Sequence, residues 1–375
     1  MIQRSLMPHL QQRLKRGKVV ILTGPRQVGK TTLLRAIQQQ YEGKTIWLNC
    51  DEPDVRQQLT NATSTEIKAL LGNADLVLID EAQRVKNIGL TLKLLVDNLP
   101  ERQVIVTGSS ALELANEIQE PLTGRKFDFH LYPLSVEELV NYSGALEEKR
   151  LLERRLIYGQ YPEVVLNQGE EEILLRNICD SYLYKDIFTY QDVRKAEVIQ
   201  ALLEALALQV GSEVSYQELA QLLKIDQATV VRYIDLLEKA FVVFRLRALN
   251  RNVRNEIAKS RKIYFYDNGI RNALIKNYQP LNLRADTGAL WENFLVSERL
   301  KSLHYAQKQV NSFFWRTAQQ QEIDYVEEEN GQFKAYEFKW NPLQKAKFSR
   351  TFTENYPVLS TAVINSVNYL EFVLR

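Results

Sequence analysis

Between an apolar run, VVILT (19–23), and a helical pattern, TTLLRAIQQQ (31–40), the chain carries GPRQVGKT (24–31). No other stretch limits the possible folds as tightly. The spacing G-x-x-x-x-G-K-[ST] between a strand and a helix makes a loop whose backbone N–H groups converge on one point. Gly24 and Gly29 allow backbone conformations and close approach that a Cβ would block. Gly24, Pro25, Arg26, Gln27, Val28 and Gly29, with Lys30, Thr31 and Thr32 opening the helix, therefore form a candidate phosphate cradle. For ATP as ligand, Lys30 is expected to reach the β- and γ-phosphates and the Thr31 hydroxyl to ligate Mg²⁺.

A cradle of this kind needs a parallel sheet behind it, and the sequence supplies one. VVILT (19–23), TIWLN (45–49), LVLID (76–80), QVIVT (103–107) and FDFHL (127–131) are short apolar runs separated by lengths that fit helical crossovers. LVLIDE (76–81) ends a buried strand in Asp80, expected near Mg²⁺ through water, and in Glu81, expected to polarise the attacking water. QVIVTGSS ends another strand in small polar residues; Ser109 is the candidate γ-phosphate sensor, with Thr107 and Ser110 as rivals. Arg125, just before the last strand, has two readings: a stabiliser of transition-state charge, acting in its own chain or in a neighbour's, or a surface arginine.

These motifs, GPRQVGKTT, LVLIDEAQR, TGSS and LTGR…LYPLSVEEL, resemble a family of prokaryotic AAA-type P-loop ATPases related to the archaeal-type group of signalling ATPases. GQYPEVV (159–165), YKDI (184–187) and YFYDNGIRNAL (264–274) are similar to that family's C-terminal region. The resemblance implies an α/β chain: a parallel-sheet, additional-strand P-loop domain over 1–133, a helical connector over 134–195, a winged helix-turn-helix over 196–262 and a restriction-endonuclease-like domain over 263–375. It also implies ATP and Mg²⁺ as cofactors.

Composition narrows the remaining classes. The chain has 375 residues, 45% hydrophobic and 25% charged, as in globular proteins of two or three domains. Two cysteines and three histidines, widely spaced, give neither a disulfide framework nor a zinc site. No apolar run reaches the ~18 residues of a membrane span, and no apolar signal core opens the chain, so a cytoplasmic location without membrane association is expected. A homo-oligomer is compatible with the sequence.

In the second half, Ser215 and Glu218 read as a capping box opening a short helix, and Asp226 as the cap of a longer one with Val230, Ile234 and Leu237 on one face. FVVFRLRA (241–248) alternates like a strand. The longer helix offers Gln227, Thr229 and Arg232 to DNA, but also Asp235 and Glu238, which phosphates repel. Residues 245–262 hold seven bases (Arg245, Arg247, Arg251, Arg254, Lys259, Arg261 and Lys262) against Glu256, a local charge of +6 in a chain whose total is +2. DNA and a protein partner both remain open as targets of this region.

QEIDYVEEENGQFKAYEFKW (321–340) reads as a hairpin turning at Asn330-Gly331. Glu337 and Lys339 share one strand face, Asp324 lies one strand earlier, and Glu292 sits on the preceding helix. D…E-x-K is the pattern of PD-(D/E)xK nucleases, in which carboxylates hold Mg²⁺ and a lysine orients water. The competing reading is a half-buried strand with one charged and one aromatic face.

Overall fold

The computed structural model describes residues 2–14, 17–108, 121–180, 196–250 and 261–374. The chain divides into two units, one built on residues 3–133 with 239–241 and the other on 134–238 and 242–375 with residue 2.

Five strands make the sheet of the first unit: β1 (Val19–Thr23), β2 (Thr45–Asn49), β3 (Leu76–Asp80), β4 (Gln103–Gly108) and β5 (Lys126–His130). Their order is β2-β3-β4-β1-β5, and every neighbouring pair is parallel. Strands β1, β3 and β4 are buried along their whole length, which is why their sequences are continuous apolar runs. β4 is the additional strand, inserted between β1 and β3. Because Ile79 pairs with Val106 and Thr23 with Gly108, the carboxyl ends of all three emerge side by side. The helix Lys30–Gln40 starts at Gly29 and buries Leu33, Leu34 and Ile37. A second apolar cluster joins Val77, Ile79, Val104 and Val106 of the sheet to Leu92 and Leu95 of the helix Ile88–Asn98.

The second unit opens with short helices. Ser135 and Glu138 form a reciprocal capping box at the head of Val136–Ser143. The chain breaks between the helices Leu152–Tyr158 and Pro162–Leu166, and the break has a packing cause. Gly159 has φ 71°, and a Cβ there would stand 2.0 Å from Asp267 Oδ1. Asp267 is buried; it accepts the N–H of Gln160 at 2.7 Å and caps the helix Asn268–Leu274 through the N–H of Ile270. The GQYPE and YFYDNG motifs are thus two sides of one junction. YKDI lies outside the described residues.

Helices Ala196–Leu208, Tyr216–Leu223 and Gln227–Lys239 follow. Only half of the second capping box forms: Ser215 accepts the N–H of Glu218. Asp226 caps the longer helix through the N–H of Thr229, and Val230, Ile234 and Leu237 are buried as the spacing requires.

Six strands complete the unit: β6 (Val243–Ala248), β7 (Arg261–Phe265), β8 (Asn311–Arg316), β9 (Glu322–Glu329), β10 (Gln332–Phe338) and β11 (Val358–Ile364). They run β11-β10-β9-β8-β6-β7 in a single sheet. The boundary expected between residues 262 and 263 falls within β7, because β6 pairs with β8 through Arg247 and Ala248 and carries β7 with it. At the β9–β10 turn, Asn330 and Gly331 take φ 54° and 79°, the two positive values of a type I′ hairpin.

The Gly159 junction is testable against a matched glycine. Gly169 also has positive φ, 99°, but its Cβ position is open, so Gly169→Ala carries backbone strain alone. Gly159→Ala adds the clash with Asp267 and is expected to cost about 2 kcal/mol more, read as the difference in urea midpoint between the two variants.

Candidate functional site

The loop after β1 is pressed against the sheet. A Cβ on Gly24 would lie 2.1 Å from the Leu131 carbonyl, so only glycine allows this approach. Gly29, at φ 93°, turns the chain into the helix. Lys30 is buried, and its ammonium donates to the Gly24 and Pro25 carbonyls at 2.8 Å each. The lysine is therefore held by the loop that it serves.

A chain of hydrogen bonds runs from the helix to the two other strand ends. Thr31 Oγ1 donates to Asp80 Oδ2 at 2.9 Å. On its other oxygen Asp80 accepts the hydroxyl of Thr107, and Thr107 Oγ1 in turn accepts the Glu81 N–H at 3.1 Å. Glu81 has φ 54°, a left-handed backbone that costs a non-glycine residue roughly 1 kcal/mol or more. Its carboxylate accepts the Gln83 side-chain amide at 2.6 Å. Thr31, Asp80 and Glu81 thus come together as their motifs require. The Thr31 hydroxyl and Asp80 carboxylate are adjacent hard oxygens, a donor set that fits Mg²⁺.

Of the three candidate hydroxyls at the end of β4, Thr107 lies among the described residues and touches Asp80 and Glu81. Ser109 and Ser110 lie outside the described residues. Arg125 is elsewhere. Its carbonyl accepts the Val19 N–H at the amino end of β1, and its guanidinium pairs with Asp97 at 2.7 Å. The phosphate loop leaves β1 at the opposite end, about 13 Å of strand away. Of the readings open to Arg125, this register places it away from the phosphate loop of its own chain.

In the second unit, the hairpin register pairs Tyr336 with Tyr325 and, one step on, brings Glu337 alongside Asp324. Lys339 Nζ lies 2.9 Å from Glu337 Oε2 and 3.7 Å from Asp324 Oδ2. Asp324 also accepts the Phe338 N–H at 2.7 Å. Glu292 joins from its helix, but its Oε1 is taken by Lys262 at 2.9 Å and by the Tyr264 hydroxyl at 2.6 Å. Lys262 reaches Glu322 as well, at 2.7 Å.

Asp324, Glu337 and Lys339 thus meet directly, while Glu292 contacts Lys262 and Tyr264 and feels the charge of Asp324; Lys262 brings in Glu322. Glu322 was readable from the sequence, since it lies two residues before Asp324 on the same strand face. Lys262 was not, because it sat among the bases of a charged run. Burial pushes the Glu292 carboxyl up to about 7, opposed by Lys262 and reinforced by the charge of Asp324. Burial works against the Lys262 ammonium, yet Glu292 and Glu322 outweigh it and raise its pKa. Among the described residues no three Asp, Glu, His or Cys side chains converge on a metal position. Two ammonium groups stand among the carboxylates instead, so the cluster as arranged does not fit a metal ion.

The basic run is also changed by folding. Arg245 is paired with Asp235 and Glu238, Lys262 is buried, and Arg261 donates to the Tyr216 hydroxyl at 3.2 Å. Arg251, Arg254 and Lys259 lie outside the described residues. Among those described, no helix is long and apolar enough to cross a membrane.

Sheet order, loop and strand-end carboxylates together define a P-loop ATPase domain, and residues 16–140 match the model of the AAA domain. Two domains of unknown function, DUF8612 and DUF4143, match residues 149–282 and 287–369. The chain is 31% identical over 342 residues to the uncharacterized Mycobacterium tuberculosis protein Rv2008c, covering 90% of this chain and 74% of that one. It belongs to the same family. The uncharacterized Methanocaldococcus jannaschii protein MJ1544 is 24% identical over 307 residues, 75% of this chain and 66% of that one. Among solved structures, the Walker-type ATPase of Pyrococcus abyssi superposes with a TM-score of 0.50 at 16% identity, covering 73% of this chain and 96% of its own, and shares the fold.

Thr107 supplies a prediction. Thr107→Val keeps the shape of the side chain but removes the hydroxyl that joins Asp80 to the Glu81 N–H. ATP affinity should stay within about threefold of wild type while turnover falls at least about tenfold, measured by phosphate release at saturating ATP.

Proposed function

We propose that this chain is a Mg²⁺-dependent ATP-hydrolysing switch whose second unit engages a macromolecule and does not cut it. The hydrogen-bonded path Thr31–Asp80–Thr107–Glu81 carries the hydrolytic half of this reading. Thr31 and, through water, Asp80 would hold Mg²⁺, which when bound neutralises charge on the β- and γ-phosphates. Lys30 exchanges its loop carbonyls for phosphate oxygens, a short swing for a flexible ammonium. Glu81, fixed by its backbone and steadied by Gln83, orients the attacking water and receives its proton.

Glu81→Gln should bind ATP with near wild-type affinity and turn over at least about tenfold more slowly, whereas Lys30→Ala should lose most nucleotide affinity. Binding isotherms with ATP beside steady-state phosphate release separate the two. Normal hydrolysis by the Glu81→Gln protein removes Glu81 from the mechanism.

For the second unit, the reading rests on the two lysines that already pair with the carboxylates of the cluster. Plasmid incubated with the protein, Mg²⁺ and ATP should remain supercoiled. Nicking that disappears in Asp324→Asn, with ATP hydrolysis intact, would replace this reading with that of an ATP-gated nuclease. The partner, DNA or protein, is the class of macromolecule that changes the hydrolysis rate when added.

A further inference from the structure

The phosphate loop has a support that its motif does not contain. Arg4 lies outside the residues matched by the AAA domain, 16–140, and is only 7% exposed. Its guanidinium forks: Nη1 donates to the Val28 carbonyl at 2.6 Å and Nη2 to the Tyr132 carbonyl at 2.7 Å. Val28 is the residue before Gly29, so the carbonyl that accepts from Arg4 belongs to the same peptide group as the Gly29 N–H. That N–H is one of the donors the loop motif presents to phosphate.

We infer that Arg4 is a positioning residue for nucleotide phosphate, acting through the Val28–Gly29 peptide. Two effects follow from the geometry. A cation on the oxygen side of an amide draws electron density across it and strengthens its N–H as a donor. The fork also fixes the loop at its far end. Leu131 backs the near end, where its carbonyl abuts Gly24 and its N–H donates to Thr23 at 2.8 Å. Tyr132 is the next residue, so Arg4 ties the far end of the loop to the same stretch of backbone that backs its near end. A loop anchored at both ends has less freedom to lose when phosphate binds. Lysine keeps the charge but cannot span two carbonyls with a planar fork.

This inference rests on the ATPase reading above, and its test separates the two. Fluorescent ADP and ATP are titrated into the full chain, with thermal melts of every variant. Arg4→Lys should weaken ADP and ATP alike, by about tenfold, because both carry the β-phosphate. At saturating ATP its kcat should stay within about twofold of wild type, so the loss appears in KM. Arg4→Gln, which removes the charge as well, should lose more. Leu10→Ala serves as the structural control: Leu10 is buried in the helix Met7–Arg13 and leaves the Val28 contact in place. It should lower Tm with nucleotide affinity unchanged. Wild-type affinity in a folded Arg4→Lys protein, or an equal loss of affinity in Leu10→Ala, overturns the role of Arg4. Failure of the wild type to bind nucleotide any better than Lys30→Ala overturns the ATPase reading instead.

Discussion

Asp80 is the residue on which the first unit's chemistry depends, and it is occupied on both oxygens. One accepts from Thr31 at the start of a helix, the other from Thr107 at the end of a neighbouring strand. These partners are 49 and 27 residues away in sequence. Only the insertion of β4 between β1 and β3 brings them to one carboxylate. A different strand order would keep every motif and lose the site. Buried carboxylates are tolerated when their oxygens are satisfied, and here the groups that satisfy Asp80 are those that chemistry at phosphate requires.

The second unit uses buried charge for another purpose. Arg299 and Glu327 form a two-pronged buried pair, and Glu298 lies between Lys301 at 2.6 Å and the Val136 N–H at 2.7 Å. Such pairs add little net stability over apolar packing of the same shape, but they punish any misplacement of a partner. Glu298 and Lys301 hold the helix Thr287–Tyr305 to the segment at Leu134 and Val136 in one register. The cluster around Lys262 follows the same logic. Its carboxylates and ammonium groups satisfy one another within the folded chain.

Much of this was legible from sequence where local rules act. The phosphate loop, the five apolar strands, the Asn330-Gly331 hairpin and the Asp226 cap each depend on backbone rules that a few adjacent residues state in full. What escaped depends on register and on long-range pairing. Arg125 precedes β5 whereas the loop follows β1, and parallel pairing sends those two positions to opposite ends of the sheet. Lys262 counted as one more base in a charged run, because nothing local announces that Glu292 and Glu322 will claim it. Thr107 was one hydroxyl among three until the pairing of Ile79 with Val106 set it beside Asp80.

The shared sheet of the second unit bears on how such a chain can be taken apart or inherited. β6 and β7 come before the helix Thr287–Tyr305, whereas β8 to β11 come after it, yet they hydrogen-bond as one surface. Removing the earlier pair would strip β8 of its neighbour and leave a row of open N–H and carbonyl groups, the kind of edge that recruits a strand from another molecule. Gene rearrangements that separate these segments would therefore be selected against as sources of aggregation. The two domains of unknown function that cover them are expected to travel together through genomes, even if their tasks differ.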